Sequence, residues 1–179
     1  MKTNFAFRFL RSIYNIGGYS LPLRLVNFVF QRVFLIDFLF KYPKNFTSRT
    51  ISPRNITIEG GRNNPITVMS FAISGGCYIQ AEAGISFGMR TRFAPRVSIV
   101  STNHDFNDLN SSTTKGPITI GSDCWLGTGS VVLSGVTIGP HTVVAANAVV
   151  TKSFPDGNCV LAGVPARVIK QLSPIKQIP

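Results

Sequence analysis

The sequence predicts an all-β solenoid, a parallel β-helix of six-residue repeats with three faces per coil, preceded by a short α-helical segment. Three observations carry this. Ile120, Leu126, Val132, Ile138, Val144 and Val150 are aliphatic residues spaced by six. A second register, Cys124, Ser130, Val136, Thr142 and Ala148, stays small or β-branched. Gly121, Gly127 and Gly139 follow members of the first register, at turn positions where a side chain would clash or φ must be positive. A period of six is neither that of a helix nor that of a simple hairpin sheet, and it suits short strands joined by tight turns. Each aliphatic residue should point inward and stack on its counterpart 18 residues away, one strand separation of about 4.8 Å further along the axis.

The elements follow in order. Residues 1–50 form a basic, aromatic-rich segment in which Phe, Leu and Val alternate with arginines, and the spacing predicts two short helices over about 5–15 and 22–40. The β-helix domain is expected over 51–171 and a C-terminal tail over 172–179. Upstream, Ile73, Ile79, Ile85, Thr91 and Val97 repeat the six-residue spacing. Counting on from Val97 reaches 121, whereas the later register passes through 120, so the two phases differ by one residue. The coil is therefore interrupted between Thr102 and Pro117, where TNHDFNDLNSSTTKGP is polar and turn-rich. A loop excursion over about 103–117, with His104 at its base, accounts for the slip.

Composition narrows the function. The chain has 179 residues, 44% hydrophobic and 14% charged, enough to bury a core. Its three cysteines form no CxxC pair and its two histidines cannot build a three-histidine metal site, so no metal and a reducing, cytoplasmic setting are expected. Net charge is +11, and residues 1–49 hold eight Lys/Arg against one acid, Asp37. Because that charge is interleaved with Phe and Leu rather than spread over a polar face, nucleic acid is not the expected partner. The longest charge-free run of the segment, Ser12 to Leu23, is broken by Gly17, Gly18 and Pro22, and a spanning helix needs about 20 apolar residues. Two uses remain for the apolar faces: packing on the coil or a neighbouring subunit, or peripheral contact with an anionic membrane through residues 1–43 at its inner face.

The text STNHDFND, followed by GPITIGSDCWLGTGSVVLSGVTIGPHTVVAANAVVTKSFPDGNCVLAGVPARVIK, resembles the hexapeptide-repeat acyltransferases. More narrowly it is similar to O-acetyltransferases acting on sugars, namely the galactoside, maltose, nodulation and exopolysaccharide (colanic-acid type) enzymes. The resemblance is strong over about 97–171, weaker over 54–96 and absent over the first fifty residues. It implies a left-handed β-helix assembled as a homotrimer with active sites in the clefts between subunits. It also implies acetyl-CoA as co-substrate and a saccharide acceptor, in polysaccharide or glycan biosynthesis.

The same resemblance assigns His104 as the general base that takes the acceptor hydroxyl's proton while the oxygen attacks the thioester directly. A hydroxyl is a poor nucleophile near neutral pH, so a base that titrates there suits the step. His141, in the turn IGPHT, reads as a turn residue. Carried over motif by motif, Trp125 lines the cleft, Thr128, Ala146 and Thr151 lie along the pantetheine arm, and Arg167 meets a phosphate, with Lys152 and Lys170 adding charge near the nucleotide. Glu82, Asn103 and Asp105 are the candidates for acceptor binding. A serine O-acetyltransferase-like or other small-molecule acyltransferase, and a non-catalytic β-helix scaffold, are the competing readings.

Overall fold

The structure, a computed structural model, describes residues 20–173. The helix expected over about 5–15 lies outside them. The second helix forms, but over Leu21–Phe28, continued by a wider π turn through Val29–Val33. Pro22 stands in its first turn, where no backbone N–H is needed. It stops short of residue 40 because Leu35 and Asp37 adopt φ of 58° and 56°, outside helical winding.

From Arg49 the chain passes through three sheets in rotation. The first circuit contains β1 (Arg49–Ile51) and β2 (Ile56–Ile58), and then a helix, Pro65–Ile73, stands where a third-sheet strand would be. The second contains β3 (Tyr78–Gln80), β4 (Ile85–Phe87) and β5 (Arg92–Phe93). The third starts with β6 (Ser98–Val100), makes a hairpin of β7 (Asn103–His104) and β8 (Ser112–Thr113), and resumes with β9 (Ile118–Ile120) and β10 (Trp125–Leu126). The fourth contains β11 (Val131–Leu133), β12 (Thr137–Ile138) and β13 (Thr142–Val144). The fifth contains β14 (Val149–Val150), a bridge at Phe154 and β15 (Cys159–Ala162), after which β16 (Arg167–Gln171) turns back. The sheets run β1-β3-β6-β11-β14, β2-β4-β9-β12 and β5-β10-β13-β15-β16. Every pairing in them is parallel except β15 with β16.

Register explains the phase slip. Ile120 pairs with Ile138, Leu126 with Val144 and Val132 with Val150, each 18 residues on. Upstream the same three pair with Phe87, Phe93 and Ile99, each 33 residues back. The excess of 33 over 18 is 15 residues, and these form the hairpin and its stems. The first register thus continues upstream through Phe87, Phe93 and Ile99, not through Thr91 and Val97, and Ile85 belongs with Ile118 in the second register. Ile73 is not a repeat residue at all. It ends the helix Pro65–Ile73 and is 43% exposed.

That helix begins at Asn64, whose Oδ1 accepts from Thr67 N, with Pro65 at the first position. It buries Val68 and Phe71 against the open end of the coil. Phe71 meets Phe93, Phe87 and Phe40 at ring separations of 4.8, 5.3 and 5.0 Å. Above these rings the core is aliphatic, from Ile79 and Ile99 up to Val150 and Leu161. Gly127 shows why a side chain cannot stand at some corners, since a Cβ there would lie 2.6 Å from Ala146 N.

Candidate functional site

The excursion leaves the first sheet after β6 and rejoins the second at β9, so it occupies the corner between those sheets. Its hairpin is antiparallel, with Asn103 opposite Thr113 and His104 opposite Ser112. The stem is tied to the circuits on either side. Thr102 N donates to Gln80 Oε1 (3.0 Å), Thr114 Oγ1 donates to Ser101 O (2.7 Å), and Lys115 N donates to Ser134 Oγ (2.7 Å). The tip is closed by its own polar residues. Asp105 N donates to Ser111 O, Asn107 N to Asp105 Oδ1 and Asn110 N to Asp108 Oδ1, the Asx turns that such residues favour.

His104 is exposed on this frame, and its Nδ1 lies 2.9 Å from the carbonyl oxygen of Leu109. A carbonyl can only accept, so Nδ1 carries a proton, and in the neutral imidazole the lone pair is then on Nε2. The tautomer is therefore set by the loop's own backbone. Asp105 spends its carboxylate on Asn107 N and leaves the orientation of the imidazole to Leu109. Sequence reasoning missed the Leu109 carbonyl because any residue at that place supplies one. The stem anchors Gln80, Thr114 and Ser134 were also missed, since each is an unremarkable polar residue until the circuits are stacked.

The other candidates fall in two places. Glu82 lies in the corner between β3 and β4, one circuit before the excursion, with its side chain exposed and its carbonyl accepting from Asn55 Nδ2. Thr151 and Lys152 lie at the same corner, after β14, and the Lys152 ammonium sits 5.6 Å from the centre of the Phe154 ring. Glu82, Asn103, His104, Asp105, Thr151 and Lys152 thus share one edge of the coil. Trp125 is 42% exposed on β10 of the third sheet. Thr128 and Ala146 occupy successive corners between the third sheet and the first, bonded through Asn147 N to Thr128 O (2.9 Å). Ala146 is exposed there with only a methyl side chain, and Arg167 and Lys170 are exposed on β16 of the third sheet. The two groups stand on different edges of one chain.

All three cysteine thiols are buried. Burial pushes the Cys124 thiol up to about 11 and raises that of Cys77 as well, so both stay protonated near neutral pH. His141 Nδ1 lies 3.1 Å from Asn158 Oδ1 at a corner where His141 itself has a φ of 53°, the geometry of a turn residue.

Comparison with known proteins agrees with this fold. Residues 117–152 match the family described as bacterial transferase hexapeptide (six repeats). The galactoside O-acetyltransferase of Escherichia coli is 38% identical over 92 residues, covering 50% of this chain and 45% of the relative. A putative colanic acid biosynthesis acetyltransferase of the same organism is 38% identical over 87 residues, covering 49% and 47%. The chain spans about half the length of the curated relatives it matches. A hexapeptide-repeat-containing acetyltransferase of Vibrio cholerae of known structure aligns with a TM-score of 0.53 and 26% identity over 96% of this chain and 95% of its own. Residues 117–152 thus carry the repeat described as bacterial transferase hexapeptide, and about half of the chain is similar to the galactoside O-acetyltransferase.

Proposed function

We propose that the protein is an acetyl-CoA-dependent O-acetyltransferase that moves an acetyl group to a hydroxyl of a saccharide, in the assembly of a polysaccharide or another glycan. The observation that carries this reading is the 2.9 Å contact of His104 Nδ1 with Leu109 O, which in the neutral ring puts the lone pair on Nε2, on an exposed hairpin. In the proposed reaction His104 Nε2 takes the proton of the acceptor hydroxyl as its oxygen bonds to the thioester carbonyl carbon. The C–S bond then breaks, and the imidazolium returns the proton to the departing sulfur. Acetyl-CoA supplies the activated acetyl group. Glu82, Asn103 and Asp105 border the same hairpin and are assigned to the acceptor.

A long, thin co-substrate needs small residues for close approach and cations for its phosphates. Thr128 and the exposed methyl of Ala146 fit the first need, and Arg167, Lys170 and Lys152 the second. Because His104 and the Thr128–Ala146–Arg167 group stand on different edges, one complete site requires the base from one copy and the co-substrate wall from another. This supports a homotrimer of left-handed β-helices with shared clefts, led by residues 1–50, built on 51–171 and ending in the tail 172–179. A cytoplasmic location, at the inner face of the membrane, completes the reading.

Acetyl-CoA consumption with a panel of saccharides, followed by a thiol reagent that detects released CoA, tests it. Saccharide-dependent release is expected. Release with serine but no sugar, or none with any hydroxyl acceptor, would sink it.

A further inference from the structure

The most deeply buried side chains of the helix Leu21–Phe28 and its continuation are polar, unlike those of an ordinary amphipathic helix. Its buried residues are Asn27 and Gln31, one turn apart. Asn27 Nδ2 donates to Ala72 O (2.9 Å), and Asn27 Oδ1 accepts from Phe46 N (3.0 Å). Gln31 Nε2 donates to Phe40 O and Tyr42 O (2.9 Å each), and Gln31 Oε1 accepts from Lys44 N (3.2 Å). Two polar side chains thus fasten the helix to the domain, with Leu23, Val26, Phe28, Val29 and Phe30 half-buried beside them. Leu21 and Leu25 are exposed, and so is the run that follows the helix: Phe34 at 63%, Leu35 at 58%, Phe38 at 49%.

The turn that carries this run is held in shape. Arg32 Nη1 donates to Phe38 O (2.7 Å) and Nη2 to Phe40 O (3.3 Å). Asp37, the only acid of residues 1–49, is drawn inward, where its carboxylate meets the buried Lys44 ammonium at 2.9 Å and accepts from Thr50 N. The exposed run therefore shows hydrocarbon, with the exposed Lys41 following it and the carboxylate of Asp37 turned to Lys44.

We infer that this face docks on an anionic lipid bilayer, with Phe34, Leu35, Ile36, Phe38 and Leu39 entering the boundary between headgroups and acyl chains. Charge decides against a second copy as the occupant. Beyond the Lys44–Asp37 pair, the described part of this segment carries Arg24, Arg32, Lys41 and Arg49 and no further acid, so two such segments would bring like charges together, whereas an anionic surface attracts them. The mode is insertion from one side, since no helix among the described residues is long and apolar enough to cross a membrane. The inference is independent of the acyl-transfer reading, and its test contains no acetyl-CoA.

The test is cosedimentation of the full chain with phosphatidylcholine vesicles and with vesicles containing about one third phosphatidylglycerol, at low and high salt. Binding to the anionic vesicles that weakens with salt is expected. Leu35→Asn combined with Phe38→Ser should lower it by at least about tenfold without moving the melting temperature or the sedimentation coefficient. Asn is suited to the positive φ of position 35, so this variant is expected to fold. Failure of the folded wild-type chain to bind anionic vesicles overturns the inference, as does equal binding by the double variant. A double variant that changes oligomeric state would also overturn it and assign the face to a contact between copies.

Discussion

Lys44 and Asp37 form an ion pair inside the protein, Nζ to Oδ2 at 2.9 Å, with the lysine side chain 2% exposed. The ammonium is further bonded to the carbonyls of Asn45 and Ser48. Removing the acid leaves a buried charge without its counter-ion. Asp37→Ala should therefore cost about 3–5 kcal/mol in denaturant unfolding. Adding Lys44→Met to it should recover part of that loss, and strict additivity of the two would contradict the pairing.

Loss of the imidazole isolates the base. His104→Ala should lower saccharide acetylation by roughly 10²–10⁴, with CoA affinity and oligomeric state unchanged, because the side chain is exposed and its Nδ1 bonds to a carbonyl of its own loop. Calorimetric CoA titration beside steady-state rates checks both halves. A variant that keeps half its activity removes His104 from the mechanism.

A site shared between copies makes a sharper prediction. His104→Ala and Arg167→Ala homo-oligomers should each be impaired. Mixed oligomers from co-expression should regain roughly a quarter of the wild-type sites, because some clefts then receive His104 from one copy and Arg167 from the other. No recovery in demonstrably mixed oligomers, or a fully active monomer by sedimentation equilibrium, refutes sharing.

Cys124 gives the protein an alkaline dependence. Burial lifts its thiol from 9.0 to about 11 in the folded chain, whereas in the unfolded chain it titrates as an ordinary thiol. Between those values the unfolded state has lost a proton that the folded state retains, so stability falls as pH rises through that window. The loss is about 2–3 kcal/mol. Melting temperatures at pH 8 to 11 should show a steeper decline for the wild type than for Cys124→Ala, and parallel curves would dismiss the effect.

How much of this was legible beforehand depends on period. From Pro117 to Val150 each strand repeats inward residues at a spacing of six, and the registers Ile120–Ile138 and Leu126–Val144 follow from that spacing alone. Upstream the signal is blurred by two insertions. The helix Pro65–Ile73 has the β-branched start ITV, and its apolar residues continue the strand-like pattern, so nothing local marks it as helical until Phe71 finds Phe93 across the coil end. The polar excursion was readable as a loop, but not as a hairpin whose Leu109 carbonyl sets a tautomer. Asn27 and Gln31 look like the wet side of a helix. Only the carbonyls of Ala72, Phe40 and Tyr42 make them its anchored side.

The helix packed beneath β5 and the reversed strand β16 also act on what this chain can do to its own copies. A stack of parallel strands ends, at top and bottom, in unpaired N–H and C=O groups that invite another strand. On the third sheet neither end offers a parallel continuation. Below β5 stands a helix with Phe71 seated on Phe93, and above β15 lies an antiparallel strand. End-to-end growth of the stack into a fibre by parallel strand addition is closed along this face at both ends.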